Sequence, residues 1–400
     1  MEPSPDLIQH LLGRINSIVR THGIDCIPAE TRQNIMQISR DLIVAVQDPH
    51  ETAFDLTMSS CTQASIQIAV RMGIFKAYGE IDTPIMTAQQ LEEITVSSAH
   101  LINRVMRVLV ANNVFSEPTA GCYARTVLTQ CFVKPPFSTF MLGTASRVWE
   151  DMKILPDYLA SLNFRDPADD NMNVSLSQYQ NNTTLDYWEW LESNPAQMDA
   201  YNNTMERSIE VARSFGNGGF ASMYPFAEEL GQDVAPEDVV IVDVGGGRGQ
   251  ALEDIRTHAP ILKGRMVLED RAETLKDHIC GVDVECLSHN FFEPQPIKGA
   301  LAYMFRHVLH DWSDDQAREI LRQTVPALVK GRSRILIAER VLPNLGCSRL
   351  DATWDLIMMR HSGKERTESQ WHGLLGSVGL RVRKIWPFQG EERIIEVVLE

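Results

Sequence analysis

The 400-residue sequence is short of basic residues, with 37 Lys and Arg against 53 Asp and Glu and a formal net charge of −16. Nucleic acids and anionic membrane surfaces attract basic proteins, so we expect neither as the main partner. No apolar run reaches the roughly 18 residues that a membrane-spanning helix needs. The N-terminal stretch also lacks a basic segment followed by a hydrophobic core, which argues against a secretory signal. These absences predict a cytoplasmic protein.

Cysteines are few and scattered. The seven cysteines are odd in number and form neither a disulfide framework nor a Cys-x-x-Cys metal knuckle. No set of His, Cys, Asp and Glu has a convincing metal-ligand spacing, and no Gly-x-Ser-x-Gly nucleophile elbow occurs. We therefore expect no metal site. The composition, 44% hydrophobic and 22% charged, is that of an ordinary globular protein, and the length suits two domains.

The first part of the chain, residues 1–140, is predicted to be mostly helical. Residues 6–47 form two amphipathic helical patterns broken near Gly23 and Pro28. They either cap their own domain or pack on another subunit. Helical patterns follow up to residue 132, with two short strands at 114–117 and 122–126, which is a winged-helix pattern. A DNA-binding role is disfavoured because the second helix offers only Arg104 and Arg107.

The second part, residues 141–400, changes character along its length. Residues 141–215 are predicted to be helical around a polar loop at 163–177, and the aromatic and Met-rich segment 186–205 mostly suits core packing. A minority of those side chains would line an apolar substrate pocket if this segment bridges the domains. From residue 238 strands and helices alternate, which predicts a parallel sheet. The predicted strands are 239–244, 265–269, 301–305 and 334–338, with an antiparallel pair at 380–386 and 393–399.

A glycine turn follows the first of these strands. Asp243 closes the strand, where a carboxylate can orient the loop or meet a cationic ligand group. The glycines occupy alternate positions, Gly245, Gly247 and Gly249. The dinucleotide fingerprint requires a third glycine where this chain has Gln250. Asp270, 21 residues after Gly249, ends the second strand, where an acid can hold both ribose hydroxyls. The pair resembles the S-adenosylmethionine (SAM) site of class I methyltransferases.

Further along, acids and a histidine follow predicted strands. His310 and Asp311 come after the strand at 301–305, at an edge where open α/β sheets place their sites. A neutral imidazole at this place can take a proton from a phenol or enol, and Asp311 can fix its tautomer. Glu339 ends a buried strand and Glu365 precedes a helix. Either carboxylate can orient His310.

Together, the residues 243–249, Asp270, 310–312, Glu339 and 363–367 resemble the plant caffeic-acid-type O-methyltransferases in their fungal branch. The resemblance covers roughly residues 50–400. It implies a general base, His310, framed by Glu339 and Glu365. It also implies a set of residues that bind or approach SAM: Gly245, Gly247, Asp270, Asn290, Phe291 and Arg306.

The resemblance implies a fold as well, of the α/β class. A Rossmann-like class I methyltransferase domain would follow an N-terminal, mostly helical winged-helix dimerisation domain. The latter would form an intertwined homodimer that closes the partner's substrate pocket. There are departures from the family pattern, since Asn290 stands where aspartate is usual and Arg271-Ala272 replaces Leu-Pro.

The same fungal branch includes proteins that keep SAM yet catalyse pericyclic or dehydration reactions. This chain resembles the leporin-type pericyclase at 289–291, 294–296 and 364–368, but that pattern has arginine where this chain has His310. The retained set His310, Glu339 and Glu365 favours methyl transfer to a hydroxyl of a small aromatic or polyketide-like secondary metabolite. A SAM-binding pericyclase or dehydratase remains the alternative.

Overall fold

The computed structural model describes residues 5–22, 29–81, 83–135, 137–169, 175–206, 219–231, 234–386 and 392–400. The chain forms two compact units, Met1–Lys134 and Pro135–Glu400. The break predicted near Gly23 and Pro28 lies outside the described residues, as does the end of the helical segment after residue 206. No helix in the described ranges combines the length and apolar character that crossing a membrane requires.

The first unit is helical with a small antiparallel sheet. Its helices are α1 Pro5–His22, α2 Ala29–Val46, α3 Pro49–Arg71, α4 Ile74–Glu80, α5 Ala88–Ile94, α6 Ala99–Ala111 and α7 Val127–Val133. The strands β1 Ile85–Thr87, β2 Phe115–Thr119 and β3 Cys122–Arg125 pair in the order β1-β3-β2. Thr87 begins α5 because its hydroxyl accepts the N–H of Gln90 and the Gln90 side chain accepts that of Thr87. The predicted hairpin is present as the antiparallel pair β2 and β3.

The second unit begins with helices that lead to the sheet. They are α8 Phe137–Ser161, α9 Leu176–Asn181, α10 Tyr187–Glu192 and α11 Pro195–Glu206. The predicted loop 163–177 was too long at its end, because Ser175 and Gln178 form a capping box that begins α9. A Cβ atom on Gly143 would lie 3.1 Å from the hydroxyl of Thr204, so α8 and α11 pack closely at that point.

A mainly parallel sheet forms the rest of the unit. Its strands are β4 Val239–Val244, β5 Arg265–Asp270, β6 Val284–Ser288, β7 Ala302–Arg306, β8 Arg334–Leu342, β9 Arg366–Thr367, β10 Leu380–Trp386 and β11 Glu392–Leu399. They are ordered β10-β11-β8-β7-β4-β5-β6, with β9 beside β8, and β10 and β11 are antiparallel to their neighbours. The order in which the chain adds strands reverses between the parallel neighbours β4 and β7. Open α/β sheets bind ligands in the crevice at the carboxyl ends of two such strands.

Helices cover both faces of this sheet. The flanking segments are Phe226–Leu230, Gln250–His258, Ala272–Leu275, Asp314–Thr324, Arg349–Met358 and Glu368–Gly376, with short 3-10 turns at Phe220–Ser222, Leu309–Asp311, Val325–Ala327 and Met359–His361. One face of the sheet packs Met304 and Leu336 against Ile255. The other packs Phe305 and Ile335 against helices on the opposite side. Burial on both faces explains why these strands are continuous apolar runs in the sequence.

Two strand predictions needed correction. The strand β6 was missed because it is an edge strand with a mostly exposed sequence, Val-Glu-Cys-Leu-Ser, and has no continuous apolar run. The strand predicted at 334–338 continues to Leu342, because its second half pairs with β9 and β11. Both differences concern where strands lie along the chain and leave the sheet order unaffected.

Candidate active site

The glycine turn after β4 has a backbone that side chains would disturb. Gly245 has φ +69° and Gly247 has φ +62°, a region that glycine adopts without strain. A Cβ atom on Gly245 would lie 3.0 Å from the side chain of Val308. The turn therefore lies directly against the segment that leads to His310.

Asp243 lies beneath this turn and is fully buried. Neither of its carboxylate oxygens has a hydrogen-bond partner among the described residues. Burial raises the pKa of Asp243 to about 7; Arg306 opposes that rise, and Asp270 and Glu269 add to it. Buried polar atoms are normally paired. The unpaired carboxylate fits a cationic ligand group, as the sequence predicted and as the ammonium group of SAM would provide.

Asp270, at the end of β5, holds the turn from the other side. Its carboxylate accepts the N–H of Gly247 at 2.8 Å and that of Arg271 at 2.7 Å. Burial raises the pKa of Asp270, and these hydrogen bonds oppose the rise. The Thr274 side chain also hydrogen-bonds this carboxylate, so about one of its roughly four acceptor positions remains for a ribose hydroxyl. The contacts thus fit the role that the resemblance implies for Asp270.

The remaining cofactor candidates lie around the same turn. The Phe291 ring is 3.6 Å from the place of a Gly245 Cβ atom. The guanidinium of Arg306 lies 5.2 Å above the Phe220 ring, and its Nε is 3.1 Å from Oε1 of Glu392. Asn290 is different, because its side-chain oxygen accepts the N–H of Phe292 at 3.1 Å. Its oxygen therefore stabilises its own loop.

Four of the predicted residues form one cluster, which we call the His310 cluster: His310, Asp311, Glu339 and Glu365. Nδ1 of His310 lies 3.2 Å from Oε2 of Glu339 and 3.1 Å from Oε1 of Glu365. The other oxygen of Glu339 accepts the N–H groups of Val308 and Leu309 at 3.1 and 3.0 Å. The carboxylates therefore fix both the imidazole ring and the turn that carries it.

This arrangement leaves one ring nitrogen for chemistry. With Nδ1 against two carboxylates, Nε2 of His310 is the atom able to exchange a proton with a substrate. Its nearest acid is Asp311, whose Oδ1 is 3.7 Å away, too far for a hydrogen bond. About an eighth of the His310 side chain, 12%, is exposed. Glu339 and Glu365 therefore hold the ring, while a small part of the side chain remains exposed.

The charges of the cluster determine the protonation of His310. Burial acts to lower its pKa, but Glu339, Glu365 and Asp311 outweigh burial and raise the pKa to about 10. Burial raises the pKa of Glu339 to about 7 and that of Asp311 to about 6. At neutral pH the imidazole therefore carries protons on both nitrogens. It becomes a base only after Nε2 loses its proton.

Three residues of the family motif 363–367, to which the sequence analysis gave no role of their own, hold the His310 turn in place. The fully buried Arg366 donates hydrogen bonds to the carbonyls of Leu309 and Trp312, each at 2.8 Å. Gly363 passes so close that a Cβ atom there would lie 2.0 Å from the carbonyl oxygen of His310. The N–H of Lys364 donates to that same oxygen at 2.9 Å. Only an alignment or a structure would have revealed these contacts.

Four aromatic side chains lie near the His310 cluster. This aromatic cluster consists of Tyr187, Trp188, Tyr201 and His361. Ring centroids are 4.1 Å apart for Tyr187 and His361, and 5.5 Å apart for Trp188 and Tyr201. Burial, together with the charge of Asp311, raises the pKa values of Tyr187 and Tyr201. The rings of this segment pack against one another, as the core-packing interpretation predicts, and Tyr187 and Tyr201 lie near the charge of Asp311.

By composition, part of the His310 cluster resembles a metal site. One ligand atom each from His310, Glu339 and Glu365 lies within 4.8 Å of the others. From the sequence we interpret these three residues as a base and its orienting acids and expect no metal site. Nδ1 of His310 already lies at hydrogen-bond distance from both carboxylates, which is the geometry of an oriented histidine.

Known proteins resemble the chain over most of its length. The family model for an O-methyltransferase domain matches residues 235–381, and that for an O-methyltransferase dimerisation domain matches residues 54–135. A demethylsterigmatocystin 6-O-methyltransferase of Aspergillus parasiticus is 32% identical, over 90% of this chain and 91% of the relative. The structure of LepI in complex with SAM is 27% identical with a TM-score of 0.81, over 99% of both chains. A structure described as a pericyclic reaction enzyme is 26% identical with a TM-score of 0.82, over 99% and 100%.

These findings confirm the predicted fold class, family and cofactor. The helical first unit carries the dimerisation-domain match, and the Rossmann-like sheet carries the methyltransferase match. The Asp243 carboxylate, the glycine turn and Asp270 lie together at the carboxyl ends of β4 and β5. The chain therefore belongs to the O-methyltransferase family, as an α/β enzyme whose cofactor is S-adenosylmethionine.

Proposed function

We propose that this protein transfers a methyl group from SAM to a hydroxyl of a small aromatic or polyketide-like secondary metabolite. Nε2 of His310 would remove the hydroxyl proton. The observation that carries this proposal is the fixed imidazole, whose Nδ1 lies 3.1 and 3.2 Å from Glu365 and Glu339. The aromatic cluster beside it suits a flat, apolar substrate.

The cofactor would be held by residues of the crevice between β4 and β7. Asp243 and Asp270 would meet its ammonium and ribose groups, and Gly245 and Gly247 would let it approach the backbone. When bound, SAM supplies an electrophilic methyl group on a positive sulfonium. The protein's own work is then to align the substrate oxygen and to accept its proton.

The protonation of His310 sets a condition for this role. Since its pKa is about 10, the imidazole must first release the Nε2 proton to solvent. A cationic ligand near the glycine turn lowers the pKa of a neighbouring histidine, and that turn contacts Val308, two residues before His310. We therefore expect His310 to become a better base when the cofactor site is filled.

The second candidate is a SAM-dependent pericyclase or dehydratase. The raised pKa favours it, because a permanently charged imidazolium donates a hydrogen bond to a substrate carbonyl without removing a proton. The similar structure described as a pericyclic reaction enzyme also supports it. In this case His310 would act as a cation, as an arginine would at that position.

One experiment separates the two reactions. The protein is incubated with methyl-labelled SAM and a panel of phenolic and polyketide-like fungal metabolites, and both label and product mass are followed. Methyl transfer predicts a labelled product that is heavier by one methylene group. An unlabelled product that is isomeric with its substrate, or lighter by one water, would overturn methyl transfer and support the second candidate.

We also propose that the chain forms a homodimer through its first unit. The dimerisation-domain match supports this, as do large apolar side chains on α1 and α2 that are exposed, among them Leu7, Ile43 and Val44. Light scattering should give twice the chain mass, and a monomer would contradict the proposal. Closure of the pocket by the partner, the boundary at residue 140 and a cytoplasmic location stay predictions from the sequence.

A further inference from the structure

One cation beside the aromatic cluster, Arg147, shares the negative charge of Asp151 with a second arginine, Arg360. On α8, Gly143, Arg147 and Asp151 follow one another at intervals of four residues and therefore share one face of the helix. Gly143 packs against Thr204 of α11, and Oδ2 of Asp151 lies 3.2 Å from Nε of Arg360. These two contacts place Arg147 between α11 and Arg360.

The charges around Arg147 do not balance. Asp151 already pairs with Arg360, whose guanidinium lies 5.2 Å over the Tyr187 ring. Arg147 makes no hydrogen bond or ion pair with any residue that the structure describes, and its side chain is only partly exposed. Burial lowers the pKa of Arg147, and Arg360 lowers it further.

The aromatic neighbours of Arg147 add no negative charge at neutral pH. Tyr187 and Tyr201 both have raised pKa values, chiefly because of burial, so they stay neutral phenols. Burial lowers the pKa of His361 well below its usual value, so this ring is neutral too. Two arginines therefore share one carboxylate beside neutral aromatic rings, and this excess of positive charge favours an anionic ligand.

We propose that Arg147 binds a carboxylate, or an equally acidic enol, carried by the aromatic substrate. This inference rests on the proposed function and names its substrate class: an acidic aromatic compound with a free hydroxyl. The planar guanidinium matches a planar pair of oxygen atoms, and the aromatic cluster packs against the ring that carries them. In this proposal the substrate hydroxyl faces Nε2 of His310, as the proposed function requires.

Binding measurements test this without requiring turnover. Dihydroxybenzoates and hydroxynaphthoates are titrated into protein saturated with S-adenosylhomocysteine, each beside its methyl ester. We expect each acid to bind at least about tenfold more tightly than its ester, as a charge-assisted hydrogen bond implies. Arg147→Gln should remove that advantage and leave ester binding unchanged, while Arg147→Lys should keep part of it. Arg322→Gln, at an exposed arginine of the helix Asp314–Thr324, serves as the control.

Several results would overturn the inference. They are equal binding of acid and ester to the wild type, no measurable binding of any acid, or a preference for acids that persists in Arg147→Gln. Thermal unfolding and S-adenosylhomocysteine affinity show whether each variant is folded. The inference and the proposed function can fail separately. Tighter binding of acids without transfer of the methyl label would contradict only the proposed function. Transfer of the label to esters without tighter binding of acids would contradict only the inference.

Discussion

The contact between Gly363 and the His310 turn allows a sharp prediction. In Gly363→Ala the new Cβ atom would lie 2.0 Å from the carbonyl oxygen of His310 and 2.9 Å from Cα of Asp311. Reaching an ordinary contact of about 3.4 Å requires the two segments to separate by about 1.4 Å, an overpacking that costs about 1–3 kcal/mol. A misplacement of about 1 Å at a reacting group lowers activity by about 10²-fold.

We therefore expect Gly363→Ala to fold, to melt a few degrees lower and to turn over about 10²-fold more slowly. Its affinity for S-adenosylhomocysteine should be unchanged, since the glycine turn is on another loop. The assay is methyl-label transfer at saturating SAM, with calorimetry for binding. Gly373→Ala is the matched control, because nothing lies within 4 Å of a Cβ atom there. Wild-type turnover in Gly363→Ala would refute the reasoning.

Three further predictions concern charge. Because burial raises the pKa of Asp243 to about 7, S-adenosylhomocysteine should bind more tightly as pH rises through 7. An affinity that does not change with pH, or that is not weakened in Asp243→Asn, would count against a role of Asp243 in cofactor binding. The folded pKa of His310, about 10, exceeds the usual 6.5, so its stabilising contribution is complete below pH 6.5 and lost toward pH 10. The unfolding free energy of the wild type should therefore fall more steeply towards pH 10 than that of His310→Gln; denaturant titrations with equal slopes would contradict this. Chelation by EDTA should leave activity unchanged, because His310 is already hydrogen-bonded to Glu365; loss reversed by a divalent cation would show a metal site.

Local patterns were enough to predict the strands that build the centre of the sheet. The strands β4 and β5 are buried on both faces, so each is a short apolar run that ends in an acid. Helix starts such as Thr87 and Ser98 were predictable because capping depends on neighbouring residues alone. The edge strand β6 was not predictable, because its exposed residues follow no apolar pattern.

Some site residues could likewise be predicted from local sequence, and others could not. His310 and Asp243 follow strands and could be identified from their own surroundings. From the sequence we infer that either Glu339 or Glu365 orients His310. The contact between Glu365 and His310, which are 55 residues apart, is seen only in the structure. Arg147 gave no signal, and Gly363 was noted only as part of the family motif, because their roles depend on packing between elements that are distant in sequence.

The central claim, that Nε2 of His310 removes the substrate proton, can be measured directly. Single-turnover transfer of labelled methyl from saturating SAM is followed from pH 6 to 10 in the wild type and in His310→Ala. The account predicts a wild-type rate that rises with pH as the imidazolium loses its proton. It also predicts a rate about 10²–10⁴-fold lower and independent of pH in the variant, with S-adenosylhomocysteine binding intact. A variant as fast as the wild type, or a wild-type rate that does not change with pH, would contradict it.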